Sequence, residues 1–251
     1  MKKTILIVLV IALATVMLTG CVTINFSPNA TSRAGNVSGR GNLETFTFNV
    51  SEITEVRVEM LCNIDFYSAP SDTVTFKVQP NLMEYIEIEE SGGVLTVRSS
   101  RNINISGTAN TPVLTVSSPS LNRVIYVGAG TFNAVDPIVG DSFSLDVAGA
   151  ANGKAVLDVR NLNVTVAGAG TFDLSGTAEN ATIDMMGAGR LNALELETRT
   201  ASVNIAGAGT VRISCSDSLK VSAAGVGTME YRGSPTLDIS RGGLVSISQV
   251  S

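Results

Sequence analysis

Apolar and polar residues alternate with period two over almost the whole chain after Leu43, the pattern of strands buried on one face. No segment keeps a helical period. In the second half the alternation also repeats at long range. Segments starting at Ser120, Asp141, Asn161, Asn180, Arg199, Ser218 and Thr236 lie over one another in steps of 21, 20, 19, 19, 19 and 18 residues. Six of them contain Gly-Ala-Gly or a variant: Gly128 and Gly130, Gly149 (followed by Ala150-Ala151), Gly168 and Gly170, Gly187 and Gly189, Gly207 and Gly209, Gly225 and Gly227. Counted from the first glycine, positions −4 and −2 are apolar: Leu145/Val147, Val164/Val166, Ile183/Met185, Val203/Ile205 and Val221/Ala223. Positions +4 and +6 are apolar too: Phe132/Ala134, Phe172/Leu174, Leu191/Ala193, Val211/Ile213 and Met229/Tyr231.

A fixed phase at a fixed period predicts stacked coils. At roughly 3.3 Å per strand residue, about 19 residues give a contour of about 60 Å, enough for three short strands and their corners. Coils about 4.8 Å apart place like residues in columns, with apolar columns inside and polar ones outside. The expected fold is an all-β parallel β-helix. An antiparallel sandwich would account for the strands but not for the shared phase and length. Gly-Ala-Gly then marks a corner, where glycine permits positive φ and close backbone approach. Val226 fills the middle position, so the demand falls on the flanking glycines. At Gly149 the second glycine is missing, and Asn152-Gly153 is expected to rebuild the corner one step later. A dinucleotide-binding loop is excluded: Asp173 stands where the third glycine belongs, and strand follows instead of helix.

The N-terminus carries different information. Met1-Lys2-Lys3 is basic, Thr4 to Leu18 is almost wholly apolar, and Leu18-Thr19-Gly20-Cys21 follows. This layout predicts a secretory signal, and Leu18-Thr19-Gly20-Cys21 resembles the lipobox of bacterial lipoproteins, which implies a cut after residue 20 and a lipidated Cys21. The apolar run is short for a membrane span, which needs about 20 residues. Residues 21–42 read as a flexible tether rich in Ser, Asn and Gly. Residues 43–251 form one β-helix domain, less regular over 43–119 and regular over 120–251. Cleavage leaves 15 basic against 22 acidic residues, a net charge of −7. Nucleic acid is thus a poor partner. The expected setting is the cell envelope, with the chain held to a bacterial membrane by its lipid and facing the periplasm or exterior.

Absences narrow the chemistry. There is no histidine and no tryptophan, so Ser-His-Asp and Cys-His catalysis and His-ligated zinc are excluded. Cys62 and Cys215 lie on the apolar phase of their strands and read as buried thiols. Asp146 and Asp184 share a column, but Thr165 separates them, so they stand about 10 Å apart. Inverting glycosidases need about 6.5–9.5 Å. Arg212 and Glu230 are in register and expected to pair. Glu84, Glu87, Glu89 and Glu90 alternate with Ile86 and Ile88, which suits a solvated strand face and lacks a calcium loop. No catalytic residue, metal or cofactor is expected. The last coil, 236–251, ends in Leu244, Val245, Ile247 and Val250 with few charges, so weak homo-association through this edge is expected.

The strings VTVAGAGTF (164–172) and VNIAGAGTV (203–211), with PVLTVSSPSLNRVIYVGAG leading into the first repeat, resemble the GIN-domain family of auto-transporter adhesin heads. So do FNVSEITEVRVEMLCNIDFYS, DTVTFKVQPNL and GGVLTVRS further upstream. The resemblance runs from about Leu43 to the C-terminus. It implies a right-handed β-helix on exported, often lipid-anchored bacterial proteins. The function expected first is a surface module that binds glycan or protein or serves as structure. A polysaccharide-active enzyme on the same fold and a self-assembling scaffold are the alternatives.

Overall fold

A computed structural model describes residues 35–100, 103–106 and 111–251. Strand makes up 73% of the chain and helix 3%, which places it in the all-β class, as a β-solenoid of about seven turns at a spacing of about 19 residues. Each regular coil is close to one unbroken strand: Ala150–Val166, Ala169–Met185, Ala188–Ile205 and Ala208–Ala223. Each pairs in parallel with the next. The break falls every time at the first glycine and the residue before it. At a second bend the ladder skips one residue, Arg160, Glu179 or Arg199, and beside Arg199 the register slips by one. There two successive side chains face outward, Arg160-Asn161 in one coil and Glu179-Asn180 in the next.

The columns are those the repeat dictates. Val56, Val124, Leu145, Val164, Ile183, Val203 and Val221 lie one over another and are fully buried or nearly so. Asp146, Thr165, Asp184, Asn204 and Ser222 form a polar column next to it. Burying each aliphatic side chain contributes about 1.5–3 kcal/mol, and every coil repeats that gain against both neighbours. The register shifts at three places. Asp173 pairs with Asn192 but Ser175 with Glu195; Leu194, Glu195 and Leu196 are passed over by the next coil, where pairing moves from Ala193/Ile213 directly to Glu197/Ser214; and a third shift falls between Thr198 and Thr200.

The N-terminal part closes its end by reversing strand direction. Glu55–Val58 and Asn63–Ser68 form the first coil, parallel to Arg123–Tyr126 and Ala129–Ala134. Val94–Ser99 and Val113–Ser118 still run parallel beneath them. Ile86–Ser91, Thr73–Val78 and Glu44–Phe48 then pair antiparallel. Part of the expected tether is strand. Gly35–Ser38 pairs with Ile103–Ser106, and Asn81 holds it by donating Nδ2 to the Ser38 carbonyl at 3.0 Å. Its four residues are too few for periodicity to reveal.

Cys62 and Cys215 are both buried and unbridged. Burial pushes the Cys62 thiol up from 9.0 to about 12, partly offset by a backbone hydrogen bond. Burial also raises Tyr126, whose hydroxyl donates to the Thr131 carbonyl at 2.8 Å. Between pH 9 and 12 the folded thiol keeps a proton that the unfolded chain has lost. Stability is therefore complete below pH 9 and falls above it, by at most about 1.4 kcal/mol per pH unit. Denaturant melts across pH 8–10 should show this slope, and Cys62→Ala should flatten it before Tyr126 begins to contribute. A slope unchanged in Cys62→Ala would mean the thiol does not sense folding.

Candidate functional site

The glycine corner is built identically at each level. The amides of Ala167 and Gly168 both donate to the Val147 carbonyl, at 2.8 and 3.0 Å, and Ala169 donates to Gly149 at 2.9 Å. The same three bonds recur at Gly128, Gly149, Gly187, Gly207 and Gly225, and once more at Gly243, which the repeat alignment had not marked as a corner. Positive φ, expected as one reason for glycine, occurs in this set only at Gly130 and Gly227, at +152° and +157°. Close approach is the general reason. A Cβ at Gly168 would lie 1.8 Å from the Gly149 carbonyl oxygen, and one at Gly187 would lie 1.9 Å from that of Gly168. At Gly170 the clash is with Ala151, again at 1.8 Å. Gly189 and Gly209 are looser, at 2.5 and 2.8 Å.

The corner at Gly149 is not rebuilt later, as the sequence suggested. Ala151 keeps register with Gly130 and is buried. Gly153 serves a different purpose. It sits in the aromatic column between Phe132 and Phe172, and the Phe172 ring would be 3.1 Å from any Cβ placed there. Among the regular coils Gly176 and Gly233 take a positive φ well short of extended, +99° and +105°, and Gly41, Gly92 and Gly93 do so in the N-terminal part, at +83°, +59° and +83°. None belongs to Gly-Ala-Gly, so the repeat motif did not reveal them. Cys21 lies outside the described residues.

The expected acids are engaged in pairs. Asp146 binds Arg123 at 2.8 Å and Asp184 accepts from Asn204 at 3.3 Å. Arg212 and Glu230 pair at 2.6 Å. Glu87 and Glu89, on the strand Ile86–Ser91, share Arg98, and Glu90 accepts from Ser51; Glu84 instead lies in the 3-10 helix Pro80–Tyr85, so the four acids do not share the expected strand face. Among the described residues no group of three or more potential ligands could hold a metal ion.

A groove of about 970 Å³ runs down one flank. Its floor is a single column: Gly140, Val159, Ala178, Thr198 and Cys215 in register, then Gly233 against Cys215. One rim carries Asp141, Arg160, Glu179 and Arg199. Arg160 pairs with Asp141 at 2.5 Å, and Arg199 pairs with Glu179 at 3.3 Å and with Asp217 at 3.0 Å. The other rim carries Asp158, Thr177 and Glu197. Among the described residues no aromatic side chain lines the groove. The outward bend at Arg160-Asn161 and Glu179-Asn180 creates it, a turn without Gly-Ala-Gly that the sequence reading did not locate.

A family model described as "Putative auto-transporter adhesin, head GIN domain" matches residues 52–235. The chain belongs to the GIN-domain family. The structure of this GIN domain is similar to that of a "putative adhesin" from Bacteroides fragilis, with TM-score 0.79 and 22% identity over 85% of this chain and 100% of that one. It is also similar to a "putative adhesin" from Parabacteroides merdae, with TM-score 0.66 and 21% identity over 87% and 100%. A "putative lipid binding protein" from Parabacteroides distasonis shares the fold, with TM-score 0.67 and 22% identity over 86% and 100%. A search of curated proteins finds no match. Among the described residues no helix is long and apolar enough to cross a membrane.

Proposed function

We propose that this GIN domain is an adhesin-like surface module, tethered to a bacterial membrane through Cys21, that binds an extended polymer along its flank groove. The observation that carries the reading is the groove itself. It stays open across consecutive coils of a rigid stack, and a linear partner fits such a surface better than a compact one. Catalysis has no comparable support, because the column carboxylates Asp146 and Asp184 are already engaged.

Assembly through the C-terminal coil is less favoured than the sequence suggested. Arg241 lies above Ala223, on a column that is apolar at Val147, Val166, Met185 and Ile205. Gln249 likewise lies above Tyr231. Inward-pointing polar groups on a last strand are a known protection against edge pairing.

The test is an array of glycans and matrix proteins probed with lipid-free residues 35–251. Wild type should bind at least one class. Thr177→Arg, which places a bulky side chain on the rim, should weaken that binding at least tenfold while leaving the melt unchanged. Binding that survives Thr177→Arg would move the site off the groove.

A further inference from the structure

We propose that the partner held in this groove is an extended protein segment rich in lysine and arginine. The proposal rests on the reading of the groove as the binding surface and adds the chemistry of its occupant. Three observations carry it.

The first is shape. From Gly140 to Gly233 the floor rises through five coil spacings, about 24 Å in all, which matches about seven residues of extended chain. The floor side chains Val159, Ala178, Thr198 and Cys215 are turned into the core and at most 6% exposed. A partner backbone can therefore lie close to the wall.

The second is charge. The groove is lined by four acids, Asp141, Asp158, Glu179 and Glu197, and two bases, Arg160 and Arg199. Both bases are used on their own rim, by Asp141, Glu179 and Asp217. On the opposite rim Asp158 accepts the Thr177 hydroxyl at 2.8 Å. Among the described residues neither Asp158 nor Glu197 forms a salt bridge with a basic side chain. The two stand two coils apart in one column, with Thr177 between them, a separation of about 10 Å. That distance is within reach of basic side chains a few residues apart on one extended strand. Complementary charge along a groove favours the encounter and fixes the register of the partner.

The third is what the walls lack. Sugar rings are commonly held by stacking on flat aromatic faces, and among the described residues none lines this groove. The carboxylates can be satisfied by ammonium and guanidinium groups, which bind them with charge-assisted hydrogen bonds.

The experiment is fluorescence anisotropy with a labelled decapeptide of alternating Lys and Ser, titrated with lipid-free residues 35–251 at low and at physiological salt. Saturable, salt-sensitive binding is expected, with no binding of a Glu/Ser peptide of equal length. The double variant Asp158→Asn/Glu197→Gln should weaken binding at least tenfold. Asp173→Asn/Asp238→Asn, which removes the same charge from other faces, should change it less than twofold. Equal weakening by both doubles would show a response to net charge only and overturn the proposal. So would the absence of saturable binding, or tighter groove binding by a glucosamine oligomer than by the peptide. If the array yields a ligand sensitive to Thr177→Arg while the basic peptide fails to bind, the groove reading stands and this inference falls.

Discussion

Gly168→Val is expected to cost more than about 4 kcal/mol or to prevent folding, while Ala169→Val changes stability by no more than about 0.5 kcal/mol. The two positions are adjacent and the new side chain is the same, so hydrophobicity and strand propensity cancel in the comparison. What differs is direction. The Cβ at position 168 points at the coil below, where the Gly149 oxygen would be 1.8 Å away and the Ala148 oxygen 2.5 Å. Relief would require separating two coils, which breaks the bond from the Ala169 amide to Gly149. The side chain at 169 points outward, and the equivalent Val226 is already 57% exposed. Denaturant melts of the lipid-free domain read both values. Equal losses at the two positions would refute the close-approach account of the corner.

How far the fold could be read ahead follows from the same geometry. The solenoid was legible because stacking forces residues one coil apart into the same environment. Asp146, Thr165, Asp184 and Asn204 therefore share a character that a sequence alignment to itself exposes. The glycine corner was legible for that reason, but its cause was only half visible. Sequence shows that a side chain is unwelcome. It does not distinguish a left-handed backbone, needed at Gly176 and Gly233, from a carbonyl oxygen less than 2 Å from the missing Cβ, as at Gly168. The groove was not legible. Its floor, Val159, Ala178, Thr198 and Cys215, is an ordinary inward column, and its concavity arises from two outward residues in succession, Arg160-Asn161, which in sequence look like a small slip of phase. The reversed strands near the N-terminus were hidden too, because alternation is the same for parallel and antiparallel pairing.

Cys21→Ser is expected to shift the protein from the membrane fraction almost completely to the soluble exported fraction. The lipid is the only strong membrane attachment proposed for this chain. The remaining residues carry net negative charge and would be repelled by an anionic surface, and stable anchoring takes more than one acyl chain. Fractionation with blotting, together with the mass of the mature N-terminus, decides the matter. A Cys21→Ser protein that loses residues 1–20 and still sediments with membranes would show a second attachment and remove the anchor from the proposed function.

Groove, corner and ion-pair ladders all depend on residues about 19 apart in sequence being neighbours along one axis. Ser142, Asn161, Asn180, Thr200, Ser218 and Thr236 form one such column, and Ser142, Thr200, Ser218 and Thr236 are exposed. Pulsed electron spin resonance on lipid-free protein labelled at Ser142→Cys with Thr200→Cys, Ser218→Cys or Thr236→Cys measures their separations directly, since Cys62 and Cys215 are buried. The account predicts distances that lengthen by about 4.8 Å with each coil, near 14, 19 and 24 Å before allowance for the labels. Distances that stay constant or alternate along the series would place these strands in an antiparallel arrangement and contradict the stack on which the groove depends.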